Sequence, residues 1–92
     1  MTEAQKLTLL KKDLQQMTTA NDEYLTHLLN YAKAAIEREG ITVTKGDIEC
    51  ETAVIHYAAY LFRKRAGTET AMPRFLRYEL NNLLFSQKGA AE

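Results

Sequence analysis

Few side chains in this chain have the chemistry for catalysis or metal binding, and their spacing argues against both. The histidines are His27 and His56, and the single cysteine is Cys50. A helical metal site needs a second ligand three or four residues from His56, but Thr52 and Tyr60 occupy those positions. Cys50 projects about 120° around the predicted helix from His56, so no thiol is paired with a base. We therefore predict no catalytic, cofactor-binding or metal-binding residue, with His27 solvated and Cys50 a small buried residue.

The acidic residues nearest to these side chains also lack a catalytic arrangement. Glu49 and Glu51 are two positions apart, so they diverge on a helix, which disfavours a paired acid and base. We interpret them as favourable charges at a helix N-terminus. The chain contains four glycines and no nucleophile-elbow, P-loop, zinc-protease or dinucleotide-binding motif. The sequence therefore predicts a protein that is not an enzyme and uses no cofactor.

Five basic residues cluster in sequence around one predicted loop: Arg63, Lys64, Arg65, Arg74 and Arg77. One interpretation is that they complement the C-terminal dipole of a helix and are otherwise solvated. The other is that they contact an acidic partner or a DNA backbone. The twelve basic residues of the chain are balanced by twelve acidic ones, which disfavours a dedicated DNA-binding protein but leaves room for a local patch.

Length and composition favour one small domain. A chain of 92 residues, of which 46% are hydrophobic, can form a single modest core. A lone cysteine cannot form an intrachain disulfide and suits a reducing compartment. No apolar run approaches the roughly 18 residues of a membrane span, and the first residues are too polar for a signal peptide. We expect a soluble intracellular protein with no membrane partner.

The element that must position these residues is a long helix at about residues 47–65. Its apolar side chains cover roughly half of the helix circumference, a wider arc than that of an ordinary surface helix, so at least two neighbouring elements should cover it. We predict an all-α fold, a small bundle of about four helices at residues 3–17, 21–39, 47–65 and 73–86 around this third helix. The apolar arc comprises Ile48, Cys50, Val54, Ile55, Ala58, Ala59, Leu61 and Phe62.

The first two helices carry narrower apolar stripes and recognisable ends. Thr2 is predicted to cap the first helix and Gly40 to end the second. Thr44 or Asp47 is predicted to begin the third, and the tail from about residue 87 is predicted to fray. The stripe of the first helix comprises Leu7, Leu10, Leu14 and Met17, with Leu9 pointing elsewhere, and that of the second comprises Tyr24, Leu25, Leu28, Leu29, Tyr31, Ala32, Ala35 and Ile36.

The fourth predicted helix has two apolar faces. Phe75, Tyr78 and Phe85 form one of them and flank Asn82. A domain this small can bury only one face of a peripheral helix. Two explanations remain open: the first helix or the tail folds over the aromatic face, or another subunit covers it. The opposite face is a leucine stripe suited to docking on the third helix, formed by Leu76, Leu80, Leu83 and Leu84.

Three segments of the chain follow a leucine-striped first helix in a recognisable order: EYLTHLLNYAKAAIE, AVIHYAAYLFRKRA and MPRFLRYELNNLL. This order resembles that of the small head-tail connector, or DNA-packaging, proteins of tailed bacteriophages and prophages, and the resemblance covers nearly the whole chain. In that family the third helix commonly ends in leucine-tyrosine-x-x-arginine, which Leu61, Phe62 and Arg65 match with phenylalanine in place of tyrosine. The family's acidic turn is represented by Asn21, Asp22 and Glu23.

The resemblance implies a structural protein of the virion neck, present in the cytoplasm of the bacterial host during assembly. Such proteins form a cyclic homo-oligomer, a dodecamer-like ring, beneath the portal protein and extend the DNA channel. They offer a docking surface to a tail-completion or head-closure protein and lie close to packaged DNA without sequence preference. A head-to-tail ring needs two different adhesive faces on each subunit. Phe75, Tyr78 and Phe85 are the candidate for one, and Tyr57 and Tyr60 are weaker candidates for the other.

A small helical DNA-binding regulator that uses the basic cluster is the alternative function. It would bind duplex DNA in a salt-dependent manner. A helix-turn-helix is a poor description of it, because the predicted connector between the second and third helices has about seven residues instead of the usual 3–4. The third helix is also too apolar to read a groove.

Overall fold

Four helices and their connections make up the computed structural model, which describes residues 1–16, 18–68 and 70–91, and of residues 89–91 the backbone only. The helices are α1 (Glu3–Leu14), α2 (Asp22–Arg38), α3 (Ile48–Ala66) and α4 (Arg74–Ala91). The described part of the chain contains no strand. The predicted all-α class and the predicted bundle of about four helices are therefore confirmed.

The third helix is the centre of the bundle, as the width of its apolar arc predicts. It packs against α1, α2 and α4, and α1 also packs against α2. The fourth helix has α3 as its main partner. One face of α4 is therefore covered by a neighbour, while its opposite face lies on the outside of the bundle.

The core is formed by one set of buried apolar side chains drawn from all four helices. Ile41, in the connection between α2 and α3, joins them. Three members of the predicted arc of α3 are outside this set: Leu61 and Phe62 are partly buried against it, and Ile48 is exposed at the surface. Ile48 begins the helix and lies at a shallow depression that does not enclose it. The buried set comprises Leu10, Leu25, Leu28, Leu29, Ala32, Ile36, Ile41, Cys50, Ala53, Val54, Ile55, Ala58, Ala59, Tyr60, Leu76, Leu80 and Leu83.

Local hydrogen bonds explain where the helices begin. The Thr2 hydroxyl accepts a bond from the Gln5 backbone N–H while the Gln5 side chain accepts one from the Thr2 N–H, so α1 begins in a capping box. The Asp47 carboxylate accepts bonds from the backbone N–H groups of Glu49 and Cys50 and begins α3. Of the two candidates for this cap, Asp47 is the one that the structure shows.

Helix ends differ from the predicted ones at α1 and agree at α2. The first helix ends at Leu14 because Gln15 adopts a left-handed conformation with φ of 59° and donates its backbone N–H to the last carbonyls of the helix. The predicted extension to Met17 falls on a residue outside the described ranges. After α2, Gly40 has φ of 98°, a conformation that glycine adopts without strain, and it follows the helix as predicted.

The fourth helix continues to Ala91, beyond its predicted end at residue 86 and into the segment predicted to fray. The Gln87 side chain anchors this extension to the connection between α2 and α3. Its Nε2 donates to the Thr42 carbonyl and its Oε1 accepts from the Thr42 backbone N–H, both at 2.8 Å. A polar composition indicated a loose tail, whereas this pair of long-range bonds holds the chain in place.

Glu51 is a buried charge that the sequence pattern did not reveal. It is 2% exposed, and its Oε2 lies 2.8 Å from the amino group of Met1. Its other oxygen accepts a bond from the Gly46 backbone N–H at 3.3 Å. These hydrogen bonds, the one from the Met1 amino group first, lower the pKa of the Glu51 carboxyl. Glu51 therefore ties the start of the chain to the start of α3, a different role from that of the exposed Glu49.

Candidate subunit interface

The aromatic side chains of α4 lie uncovered on the surface of the bundle. Phe75, Tyr78 and Phe85, which we call the aromatic strip, are 57%, 62% and 67% exposed. Leu76 and Leu80, on the opposite side of the same helix, are fully buried. No other part of the described chain therefore covers the strip, neither α1 nor the end of α4, and the explanation by self-coverage is wrong for those residues.

A polar pair on α3 and α4 supports the first ring of the aromatic strip. The Nδ1 atom of His56 lies 3.0 Å and 3.3 Å from the two carboxylate oxygens of Glu79. The imidazole meets the ring of Phe75 edge to face, with centroids 5.5 Å apart and planes inclined by 81°. His56, which lies on the polar side of α3 as predicted, therefore holds Phe75 in a defined orientation at the surface.

Cations border the aromatic strip. Arg74 precedes it and Lys88 follows it, and both are exposed. The one carboxylate of α4, that of Glu79, is already bound to His56. Exposed aromatic side chains with arginine and few carboxylates are the composition of the centre of a protein interface, not of ordinary solvated surface.

The tyrosines of α3, predicted as the second adhesive face, are largely turned into the bundle. Tyr60 is 8% exposed and belongs to the core, and Tyr57 is half-buried with its ring against that of Tyr60. Burial raises the pKa of the Tyr57 phenol, with the nearby Glu39 carboxylate adding to the effect. Because their rings fill the bundle, Tyr57 and Tyr60 have little surface left for another subunit, and the expectation placed on them is not supported.

A second exposed apolar surface lies elsewhere, at the start of α3. Ile48 is 68% exposed and Leu9 on α1 is 43% exposed, and the two side chains line one shallow depression. We call this surface the Leu9–Ile48 patch. Periodicity placed Leu9 off the buried stripe of its helix, which was a signal for this surface. The same periodicity placed Ile48 in the buried arc of α3. Periodicity gives the face of a helix on which a residue lies, but it does not show whether a neighbouring helix extends far enough to cover that residue.

The basic cluster is not one free surface in the structure. Arg63 donates to the backbone carbonyl of Asp13 at 3.0 Å and lies 3.4 Å from its carboxylate. Arg65 stacks on the ring of Tyr24, and the Lys64 ammonium lies 6.0 Å from the centre of the Tyr60 ring. Arg77 pairs with Glu39, and Arg74 alone borders the aromatic strip. Four of the five residues therefore contact different parts of their own chain.

The remaining side chains singled out for chemistry occupy unremarkable positions. Cys50 is buried, and this burial raises the pKa of its thiol. His27 is exposed with its ring near that of Tyr31. Across the described ranges, no three His, Cys, Asp or Glu residues are grouped so as to hold a metal ion. Within the same ranges, no helix has the length and apolar character needed to cross a membrane.

No family model, curated protein or solved structure matches the chain. The features of the chain that bear on its function are the order of its helices, the aromatic strip and the Leu9–Ile48 patch.

Proposed function

We propose that this chain is a structural protein of the neck of a tailed bacteriophage or prophage particle. It assembles as a ring under the portal protein, joins head to tail and extends the DNA channel. The order and spacing of its four helices, similar to those of the head-tail connector proteins over nearly the whole chain, support this proposal. Its place is the virion neck, after assembly in the cytoplasm of the bacterial host.

The observation that carries the proposal is the uncovered aromatic strip. A buried aromatic side chain removes about 150–250 Å² from water, so three that are roughly 60% exposed leave about 270–450 Å² of aromatic surface in contact with solvent. A patch of that size is at the level where monomeric proteins use it for binding. A protein whose work is to join subunits has a reason to keep such a surface.

The partners follow from the position in the particle. One end of the ring meets the portal protein, and the other meets a tail-completion or head-closure protein. Equal numbers of basic and acidic residues suit a channel wall past which DNA slides, because strong phosphate binding would hold the DNA in place. The dodecamer-like subunit number belongs to the family resemblance.

The DNA-binding regulator has less support. Its basic residues would have to leave their present contacts, since Asp13, Tyr24 and Glu39 engage Arg63, Arg65 and Arg77. Phosphate binding depends on several cations acting together over one surface. A duplex-binding assay at low salt tests this alternative, because the regulator would bind the DNA and the connector would not need to.

Light scattering over a range of concentrations, with and without portal protein, tests the proposal. The wild type is expected to assemble, either alone or on the portal protein. The double variant Phe75→Asp with Tyr78→Asp is expected to remain a folded monomer under both conditions. Asn30→Asp is the matched control, because it adds a carboxylate at an exposed position of α2 and should assemble normally. A wild type that stays monomeric at high concentration and in the presence of portal protein would refute the proposal.

A further inference from the structure

We infer that in the free chain the aromatic strip of α4 is covered by the same strip of a second copy, with the two α4 helices parallel. This pairing goes beyond the proposed function, because it concerns the chain before it meets the portal protein. The contact is isologous and closes on itself, so it is not the contact that builds a ring. The pair has to open when a subunit joins the ring.

The exposed side chains of α4 have the spacing of a seam between two helices. The positions on this face are 3, 4 and 3 residues apart and all are exposed: Phe75, Tyr78, Asn82 and Phe85. These intervals are those of the a and d positions of a seven-residue repeat, through which two helices lie side by side. Leu80, on the opposite face, fixes α4 on α3. The strip therefore offers a second helix a continuous seam of about 15 Å.

Asn82 is the polar member of this seam, and it indicates the direction of the partner helix. It occupies an a position, because it lies four residues after Tyr78 and three before Phe85. A single asparagine at an a position fixes the register and the number of helices in such a contact. In a parallel pair the two Asn82 amides face each other across the two-fold axis, and each supplies a donor and an acceptor to the other. In an antiparallel pair Asn82 would face the Tyr78 ring instead.

The residues that flank the seam are complementary in the same parallel arrangement. Arg74 occupies a g position and Glu79 the next e position, and these two positions lie side by side between parallel helices. Two-fold symmetry therefore forms the Arg74–Glu79 pair twice. The Glu79 carboxylate can accept a second partner, because His56 offers it one ring nitrogen and the Glu79 side chain remains 26% exposed. Antiparallel pairing would place Arg74 of one copy near Lys88 of the other, where like charges repel.

The area of the strip predicts a weak pair. Each copy exposes about 270–450 Å² of aromatic surface, roughly half of the 800 Å² that each partner buries in a standard interface. Contacts below the standard size are typical of transient complexes. We therefore expect a dissociation constant in the micromolar range, which allows the pair to form in concentrated solution and to open on the portal protein.

Two full-length charge variants test the pairing without portal protein. Arg74→Glu and Glu79→Lys each set like charges side by side twice in a pair of identical copies, so each is expected to dimerise about tenfold more weakly in sedimentation. Mixed in equal amounts, the two variants are expected to dimerise like the wild type, because each acid then meets a cation. Lys33→Glu, which makes the same charge change at an exposed position of α2, is the matched control and should dimerise normally.

Cross-linking at the seam tests the direction of the helices independently. In a Cys50→Ala background, Asn82→Cys is expected to form an intermolecular disulfide under oxidised glutathione, because residue 82 faces its own equivalent in a parallel pair. Asn30→Cys on α2 is the control and should not cross-link. In a mixture of Asn82→Cys with Tyr78→Cys, a disulfide between residues 82 and 78, identified by mass spectrometry, would show antiparallel helices and overturn the inference.

The remaining outcomes separate this inference from the proposed function. A wild type that stays monomeric at millimolar concentration but binds portal protein through the strip overturns the inference and leaves the ring. A mixture of the two charge variants that associates no better than each variant alone also overturns the inference. A wild type that forms the parallel pair and nothing larger, even with portal protein, refutes the function and leaves the inference. Circular dichroism establishes that each variant is folded.

Discussion

The imidazole of His56 stands edge-on to the ring of Phe75, with 5.5 Å between their centroids. Because His56 is on α3 and also binds Glu79 on α4, one side chain joins the central helix to the helix that carries the aromatic strip. Phe75 is thus more than half exposed and yet is supported from within the bundle. A ring held in this way loses less conformational freedom on binding than a free surface side chain does.

Replacing His56 by alanine should therefore weaken the fold as well as the strip. The edge-to-face contact contributes about 0.5–1.5 kcal/mol, and Glu79 loses its partner as well. We expect the free energy of unfolding in urea to fall by about 1–2 kcal/mol. His27→Ala is the matched control, because His27 is exposed and should change stability by less than about 0.5 kcal/mol. Equal stabilities of the two variants would mean that His56 supports nothing.

Glu51 should make the stability of the fold depend on pH in the acid range. The pKa of its carboxyl is lowered in the folded chain from an ordinary value of 4.5, first by the hydrogen bond from the Met1 amino group. A carboxyl whose pKa is lower when folded stabilises the fold fully above the unfolded-state pKa, and this contribution is lost as the pH falls through the folded-state pKa. We expect Glu51→Gln to be less stable than the wild type at pH 7, with the difference shrinking below about pH 4.5.

Unfolding curves at pH 7, 5 and 3 measure this difference. The neighbouring Glu49→Gln removes an exposed carboxylate from the same turn of helix and is the control. If the difference in free energy of unfolding between Glu51→Gln and the wild type stays constant down to pH 3, the carboxylate charge is not what stabilises this site.

Features set by neighbouring residues were predictable from the sequence. The caps at Thr2 and Asp47 need only a side-chain oxygen and a backbone N–H two or three residues away. The sidedness of α4 follows from the spacing of Leu76 and Leu80 against Phe75, because helical periodicity places them on opposite faces. In each case the contact that decides the structure lies within one or two turns of the chain.

Features set by distant residues were not predictable. Met1 and Glu51 are 50 residues apart, and Thr42 and Gln87 are 45 apart. No local pattern distinguishes Glu51, which is buried, from Glu49, which is exposed two positions earlier. Ile48 was assigned to the core for the same reason: periodicity gives the direction of a side chain but not the presence of a neighbour to cover it.

The contact of Gln87 with Thr42 should make the last turns of α4 part of the fold. Deleting residues 87–92 removes two hydrogen bonds that each contribute about 0.5–1.5 kcal/mol, so we expect stability to fall by about 1–3 kcal/mol. Deleting residues 89–92 keeps Gln87 and should cost much less. Hydrogen exchange at the Thr42 amide provides an independent measurement, because its protection should be lost in the first variant and kept in the second. Equal protection in both would indicate a frayed tail after all.

The two faces of α4 should respond differently to the same change. Leu80 is fully buried against α3, and truncating it to alanine should destabilise the fold by about 2–5 kcal/mol through lost apolar contact and the cavity left behind. Tyr78, two positions earlier, is 62% exposed, so Tyr78→Ala should change the stability of the monomer by less than about 0.5 kcal/mol. Urea unfolding of the dilute monomer measures both. A large loss for Tyr78→Ala would mean that the strip contributes to the fold of its own chain, and assembly defects of strip variants would then reflect unfolding instead of a lost contact.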